Sequence, residues 1–289
     1  MLEVILSQIT NGLVLGMIYV LIALGLSIVF GLLGIVNFSH GAFVALGAHF
    51  ALTLQQQFGW PAVVFAPVLA GLVGAVIEVV LVKRLYGRNP LQTLVLTFAL
   101  AMFMDSLLRI VWGSAGQPFS PPEFLRGIFV AGPILVTKYR LAVIVITALL
   151  LLAVWALLVL TPFGRVLRAG SRDPQMVQLL GINLPRYMTA AFAFGCLLAG
   201  AAGLLAAPLW TVSPAMAASA IMPAFVIVTI GGLGSYLGAI AAGLLVGVVT
   251  AVAVQFAPAL SQIAMYLLMA FILLVRPRGL LGERWEQFE

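Results

Sequence analysis

The sequence predicts an all-α, polytopic bundle of transmembrane helices, and three observations carry that reading. Hydrophobic residues make up 64% of the 289 and charged ones only 8%, against about half and about a quarter in a soluble domain. No Asp, Glu, Lys or Arg occurs between Glu3 and Glu78, nor between Arg186 and Arg276, so each interval has room for several apolar helices of about 20 residues. These runs also lack the alternation of barrel strands, and hydrocarbon offers an open backbone no hydrogen-bonding partner, which leaves helices.

Apolar stretches run over residues 5–33, 40–56, 62–82, 91–112, 139–160, 187–209, 214–233, 236–254 and 260–275. They predict about eight full spans, some broken or re-entrant, in a single transmembrane domain over 1–289. The first stretch has no basic leader and no small-residue cleavage site, so it is expected to be a retained helix rather than a signal peptide. The single Cys196 excludes an internal disulfide.

Basic residues fall in three clusters: Lys83, Arg84 and Arg88; Arg165, Arg168, Arg172 and Arg186; Arg276, Arg278 and Arg284. Two stretches separate the first cluster from the second and four separate the second from the third, so all three share one face, which the positive-inside rule makes cytoplasmic. The N-terminus is then outside and the C-terminus cytoplasmic. Arg126, Lys138 and Arg140 fall on the opposite side, in or just after a Pro- and Gly-bearing loop over 113–138. The net charge of +6 is therefore spread over short loops rather than one stripe, and no nucleic-acid partner is expected. The 29 glycines often recur near four-residue spacing, as at Gly12 and Gly16 or around Gly195, which lets membrane helices approach closely.

Two polar or glycine-rich interruptions stand out. In GIVNFSHGAFVALGA, Gly34 to Ala48, the group Asn37, Ser39, His40 and Gly41 breaks a run too long for one span. Ser39 is a candidate N-cap for a helix starting near His40, and Asn37 a candidate partner for carbonyls freed at the end of the preceding helix. The same residues are candidates for the wall of a translocation path, because non-helical backbone at membrane depth is tolerated where it is buried in protein or lines a water-filled cavity. His40 and His49 are nine positions apart, on opposite faces of a continuous helix, so no shared metal is expected. The second interruption, GGLGSYLG, contributes Gly231, Gly232 and Gly234 and is a candidate counterpart of the first.

The segment Thr161 to Met188 predicts a short helix over Pro174 to Leu180. Asp173 suits the N-cap, Pro174 the first helical position and Gly181 the left-handed residue after the end. Met176, Val177, Leu179 and Leu180 make this helix largely apolar in a cytoplasmic loop, which calls for a partner surface.

At these residues the chain resembles a known family: the integral membrane permeases of ATP-binding-cassette importers for branched-chain amino acids, of the kind that pairs with a second, related permease. The resemblance rests on ALGLSIVFGLLGIVNFSHGAF, GRVLRAGSRDPQMVQLLGIN, GGLGSYLGAIAAGLLVG and VRPRGLLG, in order over essentially the whole chain. It implies that the helix from Asp173 to Gly181 couples to a cytoplasmic ATPase, with Arg165 and Arg168 beside it. It further implies a second permease, an extracytoplasmic solute-binding protein and a location in a bacterial-type cytoplasmic membrane.

The chain contains no G-x-x-x-x-G-K-[ST] phosphate loop. It is thus expected to bind no cofactor itself and to depend on ATP used by a partner subunit. An intramembrane enzyme is disfavoured, since neither His-Glu-x-x-His nor Gly-x-Ser-x-Gly occurs. The alternative is an ion-coupled secondary carrier, which needs ionisable groups inside the bilayer. Glu78 near Lys83 and Arg84, and Asp105 with Arg109, are the candidates, and snorkelling and pairing are expected to account for both.

Overall fold

The computed structural model describes residues 2–86, 89–131 and 134–282, so Arg88 and Arg284 of the basic clusters lie outside the described residues. Every apolar stretch contains a helix. In chain order the helices are α1 (Leu2–Leu33), α2 (His40–Phe58), α3 (Ala66–Val80), α4 (Pro90–Trp112), α5 (Lys138–Leu160), α6 (Pro162–Arg172), α7 (Pro174–Leu179), α8 (Leu184–Ala206), α9 (Met216–Gly231), α10 (Tyr236–Phe256) and α11 (Ser261–Val275). A 3-10 turn over Trp60–Phe65 leads into α3.

Among the described residues six helical segments, those of α1, α3 with its leading turn, α4, α5, α8 and α10, are long and apolar enough to cross a membrane. The chain is a multi-pass membrane protein. α2 carries two histidines and ends in Gln55, Gln56 and Gln57 before Phe58, while α9 and α11 are shorter apolar helices.

α1 is the axis of the bundle, buried without a gap from Ile18 to Ser27. Glycines let its neighbours reach it. A methyl group at Gly195 of α8 would lie 2.7 Å from the Gly25 carbonyl oxygen of α1, and one at Gly25 would lie 2.6 Å from the Gly195 carbonyl. On the same helix Gly12 faces Val248 and Gly16 faces Gly243 and Leu244 of α10. α8 also meets α3, where Gly71 approaches the Ala193 carbonyl and Gly74 the Cys196 side chain. Backbones at these distances allow dispersion contacts along whole helices, the principal attraction available where lipid is as apolar as the core.

α4, α5 and α11 sit at the periphery and expose large apolar residues such as Phe98, Met102, Ile110, Leu149, Leu267 and Phe271, as a lipid-facing surface requires. Local chemistry sets several starts: Asn89 caps α4 by accepting from Leu91 N (2.9 Å), and Ser235 caps α10 by accepting from Gly238 N (3.1 Å).

The loop over 113–138 is more ordered than its Pro and Gly content suggests. It forms an antiparallel hairpin, β1 (Ile128–Ala131) with β2 (Ile134–Thr137). Gln117 exchanges two backbone hydrogen bonds with Val212, at 2.8 and 3.0 Å, tying this loop to the α8–α9 connection.

Gly195→Val would drive a branched side chain into the Gly25 carbonyl. It is expected to destabilise the bundle by about 1–3 kcal/mol, read as a lower midpoint of denaturant-induced unfolding in detergent.

Candidate translocation path and coupling surface

The first interruption is a tightly closed junction. α1 ends at Leu33, Gly34 takes φ 63° and donates its N–H to Phe30 O at 2.8 Å, and α2 starts at His40. Asn37, Ser39 and His40 are each 0% exposed. The Asn37 carboxamide oxygen accepts from both the Ser39 N–H (3.1 Å) and the Ser39 hydroxyl (2.6 Å).

This corrects both capping expectations. Ser39 has helical backbone angles and makes no side-chain cap bond, because its hydroxyl is engaged by Asn37. Asn37 in turn serves the turn itself rather than the carbonyls of α1. Its Nδ2 has no hydrogen-bond partner among the described residues.

His40 reaches across to the axis helix, with Nε2 3.0 Å from Ile22 O. A carbonyl only accepts, so Nε2 carries the proton. A methyl at Gly25 would stand 3.0 Å from this ring, so the same glycine admits both α8 and His40. Gly41 is equally constrained: an added methyl would lie 2.8 Å from Cβ of Ile221 in α9. Thr97 of α4 donates to Val36 O at 3.1 Å, and the Phe38 ring lies against Phe98 and Phe225. The four residues predicted for the path thus form one group, sealed off from the surface.

The second interruption meets the first. Methyls added at Gly31 and Gly234 would each lie within 3.5 Å of the other's Cα. Gly232 and Gly234 have φ of 97° and 79°, a left-handed conformation in which a Cβ is strained, while Gly231 packs on Gly238 and Ala239. The VRPRGLLG segment then closes over this turn: Leu280 N donates to Ile230 O (2.7 Å) and Leu281 N to Gly231 O (3.1 Å). Two carbonyls orphaned at the end of α9 are thereby satisfied, a role the segment's sequence does not announce.

At the same end lie α6 and α7. α6 is not among the elements the sequence predicts, although Thr161 followed by Pro162 is a helix-start signature; its arginines hide the pattern that apolar spans display. Arg165 is exposed, and Arg168 donates to Leu158 O at the end of α5. α7 follows the predicted chemistry. Asp173 accepts from Met176 N at 2.8 Å, and Gly181 has φ 79°. Ile182 N returns to Val177 O at 3.3 Å and Gly181 N to Gln178 O at 2.9 Å. The helix closes at Leu179, one residue early, with Leu180 as its cap.

The apolar side chains of α7 divide into two groups. Val177 is 3% exposed and packs in a small cluster with Leu32, Leu167, Leu184 and Ala191, so it anchors the helix instead of facing a partner. Met176, Leu179 and Leu180 are 53, 81 and 71% exposed. Pro174 is exposed beside them.

The two intramembrane acids differ. Asp105 pairs with Arg109 as expected, at 2.8 Å. Glu78 is 0% exposed and accepts from the Tyr86 hydroxyl. No ion pair with Lys83 or Arg84 occurs among the described residues, because Glu78 lies on the buried face of α3 with Gly71 and Gly74. No cluster of three or more metal-ligand side chains occurs among the described residues.

The family model described as the branched-chain amino acid transport system permease component matches residues 8–275. The chain belongs to this family. The permease is 30% identical over 96% of its length to the high-affinity branched-chain amino acid transport system permease protein BraD of Pseudomonas aeruginosa, covering 96% of that protein. It is 29% identical, with the same coverage of both chains, to the permease protein LivH of Escherichia coli K12. A probable branched-chain amino acid transport permease of Methanocaldococcus jannaschii is 25% identical over 93% of this chain and 90% of its own. These relatives are transport permease subunits rather than enzymes. No solved structure matches the permease significantly.

Two expectations follow for these sites. Asn37→Leu removes the acceptor of two hydrogen bonds and is expected to cost about 1–3 kcal/mol, lowering the amount of folded permease while leaving the KM of what folds unchanged. Glu78→Gln keeps an acceptor for Tyr86 and is expected to leave ATP-driven uptake within about twofold of the parent. A large loss would instead indicate carboxylate-dependent ion coupling.

Proposed function

We propose that this chain is one permease subunit of an ATP-driven importer for branched-chain or other hydrophobic amino acids in a bacterial-type cytoplasmic membrane. One observation carries the reading. α7 presents Met176, Leu179 and Leu180 outward at a loop end of the bundle while Val177 fixes it to α1, α6 and α8. Large apolar side chains held out together by a capped, anchored helix mark a surface that another protein covers.

The partner of α7 is a cytoplasmic ATP-binding subunit, and Arg165 supplies a cationic flank to that contact. Thrust on α7 passes through Val177 and Leu32 to the end of α1. A second, related permease completes the path, and a solute-binding protein delivers the amino acid from the outer side. The positive-inside bias puts α6 and α7 in the cytoplasm, and the names of the relatives support the substrate class.

The experiment is reconstitution with the companion permease and ATPase subunits in proteoliposomes, measuring uptake of labelled leucine with and without ATP. Leu180→Asp puts a charge on the exposed docking face, where desolvation costs several kcal/mol and is expected to reduce ATP-driven uptake at least about tenfold with normal permease content in the membrane. Uptake driven by an ion gradient and indifferent to ATP would overturn the reading.

A further inference from the structure

Residues 207–215, between α8 and α9, turn into the bundle. The Trp210 ring packs against Tyr19 of the axis helix, with centroids 6.4 Å apart. Tyr19 lies about 12 residues before Gly31, or about 18 Å of helical rise. Gly31 meets Gly234 at the end carrying α6 and α7. Tyr19 and Trp210 therefore stand about 18 Å of helical rise away from that end, toward the side where Val212 pairs with Gln117. They line an open cleft of about 370 Å³ together with Thr211, Ser213, Met216 and Ser219, a size within the range of small-molecule sites, about 300–1,000 Å³.

Four polar groups of this cleft lack partners, whereas the Ser219 hydroxyl donates to Ala215 O at 3.2 Å. Tyr19 is 8% exposed, yet its hydroxyl makes no hydrogen bond among the described residues, and the same holds for the Trp210 indole N–H and the hydroxyls of Thr211 and Ser213. Two other tyrosines packed in the bundle are satisfied: Tyr139 donates to Leu205 O at 2.8 Å and Tyr236 to Leu151 O at 2.6 Å. Within α9, Pro223 has no N–H to give the Ser219 carbonyl. The exposed residues where α9 begins are Ala215, Ala218 and Ser219, unlike the bulky apolar faces that α4 and α5 turn to lipid.

We propose that this cleft holds the transported amino acid in transit, with its carboxylate among the donors of Tyr19, Trp210, Thr211 and Ser213 and its aliphatic side chain against Leu15 and Met216. Four donors beside the start of α9 suit a carboxylate, which the positive end of a helix also favours. No ionisable residue other than Tyr19 lines the cleft, so a net-neutral zwitterion is held by hydrogen bonds and can leave, as conduction demands. The inference rests on the importer reading and names the site where that reading places substrate.

The test uses the complete reconstituted transporter. Tyr19→Phe removes one hydroxyl and Trp210→Phe one N–H; each is expected to raise the KM for leucine about three- to tenfold, whereas Tyr139→Phe, the same change at a satisfied tyrosine, leaves KM unchanged. Native Cys196 is buried, so a thiol introduced by Ser219→Cys is the one a small water-soluble thiol reagent is expected to modify, and more slowly when leucine is present. Parental KM values in both cleft variants, or a modification rate at position 219 indifferent to leucine, overturn the inference. So does a thiol at that position that never reacts, since the cleft is then filled by lipid or by the companion permease. If the parent transporter shows ATP-driven uptake while these outcomes occur, the cleft assignment fails alone; if the parent shows none, the importer reading fails first.

Discussion

Hydrocarbon cannot hydrogen-bond, and that single fact dictates how this chain is allowed to break its helices. Each interruption is closed by another part of the same polypeptide. At the α1–α2 junction Asn37 takes two donors from Ser39, and Val36 O receives Thr97 from α4. At the end of α9, two carbonyls receive the N–H groups of Leu280 and Leu281. Where α8 passes into α9, Gln117 and Val212 exchange both of their backbone groups. The last of these connections differs from the first in that the unpartnered side-chain groups beside it open on a cleft instead of being sealed in the bundle.

The glycines make this closure possible. Because a buried break must be covered closely, the helices beside it have to approach to backbone contact, and Gly25, Gly41, Gly195 and Gly231 stand at those contacts. Gly25 serves twice: without a Cβ it admits the α8 backbone on one side and the His40 ring on the other. Packing this close leaves α1 little room to deform locally. Any movement of α1 is therefore that of a rigid rod, with Val177 and Leu32 at one end and Tyr19 near its middle.

What could be read from the sequence was what local pattern encodes. Nine apolar stretches each contain a helix, and Asp173, Pro174 and Gly181 do what their residue types suit them for. The misreadings arise where a side chain prefers another partner to the expected one. Ser39 is a sound N-cap by type, but its hydroxyl is taken by Asn37. Glu78 is close in sequence to Lys83 and Arg84, yet its face of α3 is buried and the group that reaches it is Tyr86. Val177 belongs to an apolar helix whose sequence does not show which side faces home; only the cluster with Leu32, Leu167 and Leu184 decides it. The arginines of α6 mask its helical start, and the strands of the hairpin, four residues each, give too short a pattern to register. The Tyr19–Trp210 cleft joins residues from three segments, and no spacing rule brings them together.

These differences bear on where solute passes. Polar residues in an oily sequence invite a functional reading, and Asn37, Ser39 and His40 are the most conspicuous such group in the N-terminal third. Their complete burial gives them another role, since they hold a turn together at a depth where an open turn would be costly. The hydroxyls of Tyr19, Thr211 and Ser213 are less conspicuous in sequence but remain available, because nothing among the described residues occupies their hydrogen-bonding capacity. Asn37 Nδ2 and His40 Nδ1 also lack partners among the described residues, but both residues are closed off from the surface. In a membrane protein, uncommitted donors that open on a cleft locate a path better than polar residues that are sealed off, and here they converge beside α1, one of the helices that anchor α7.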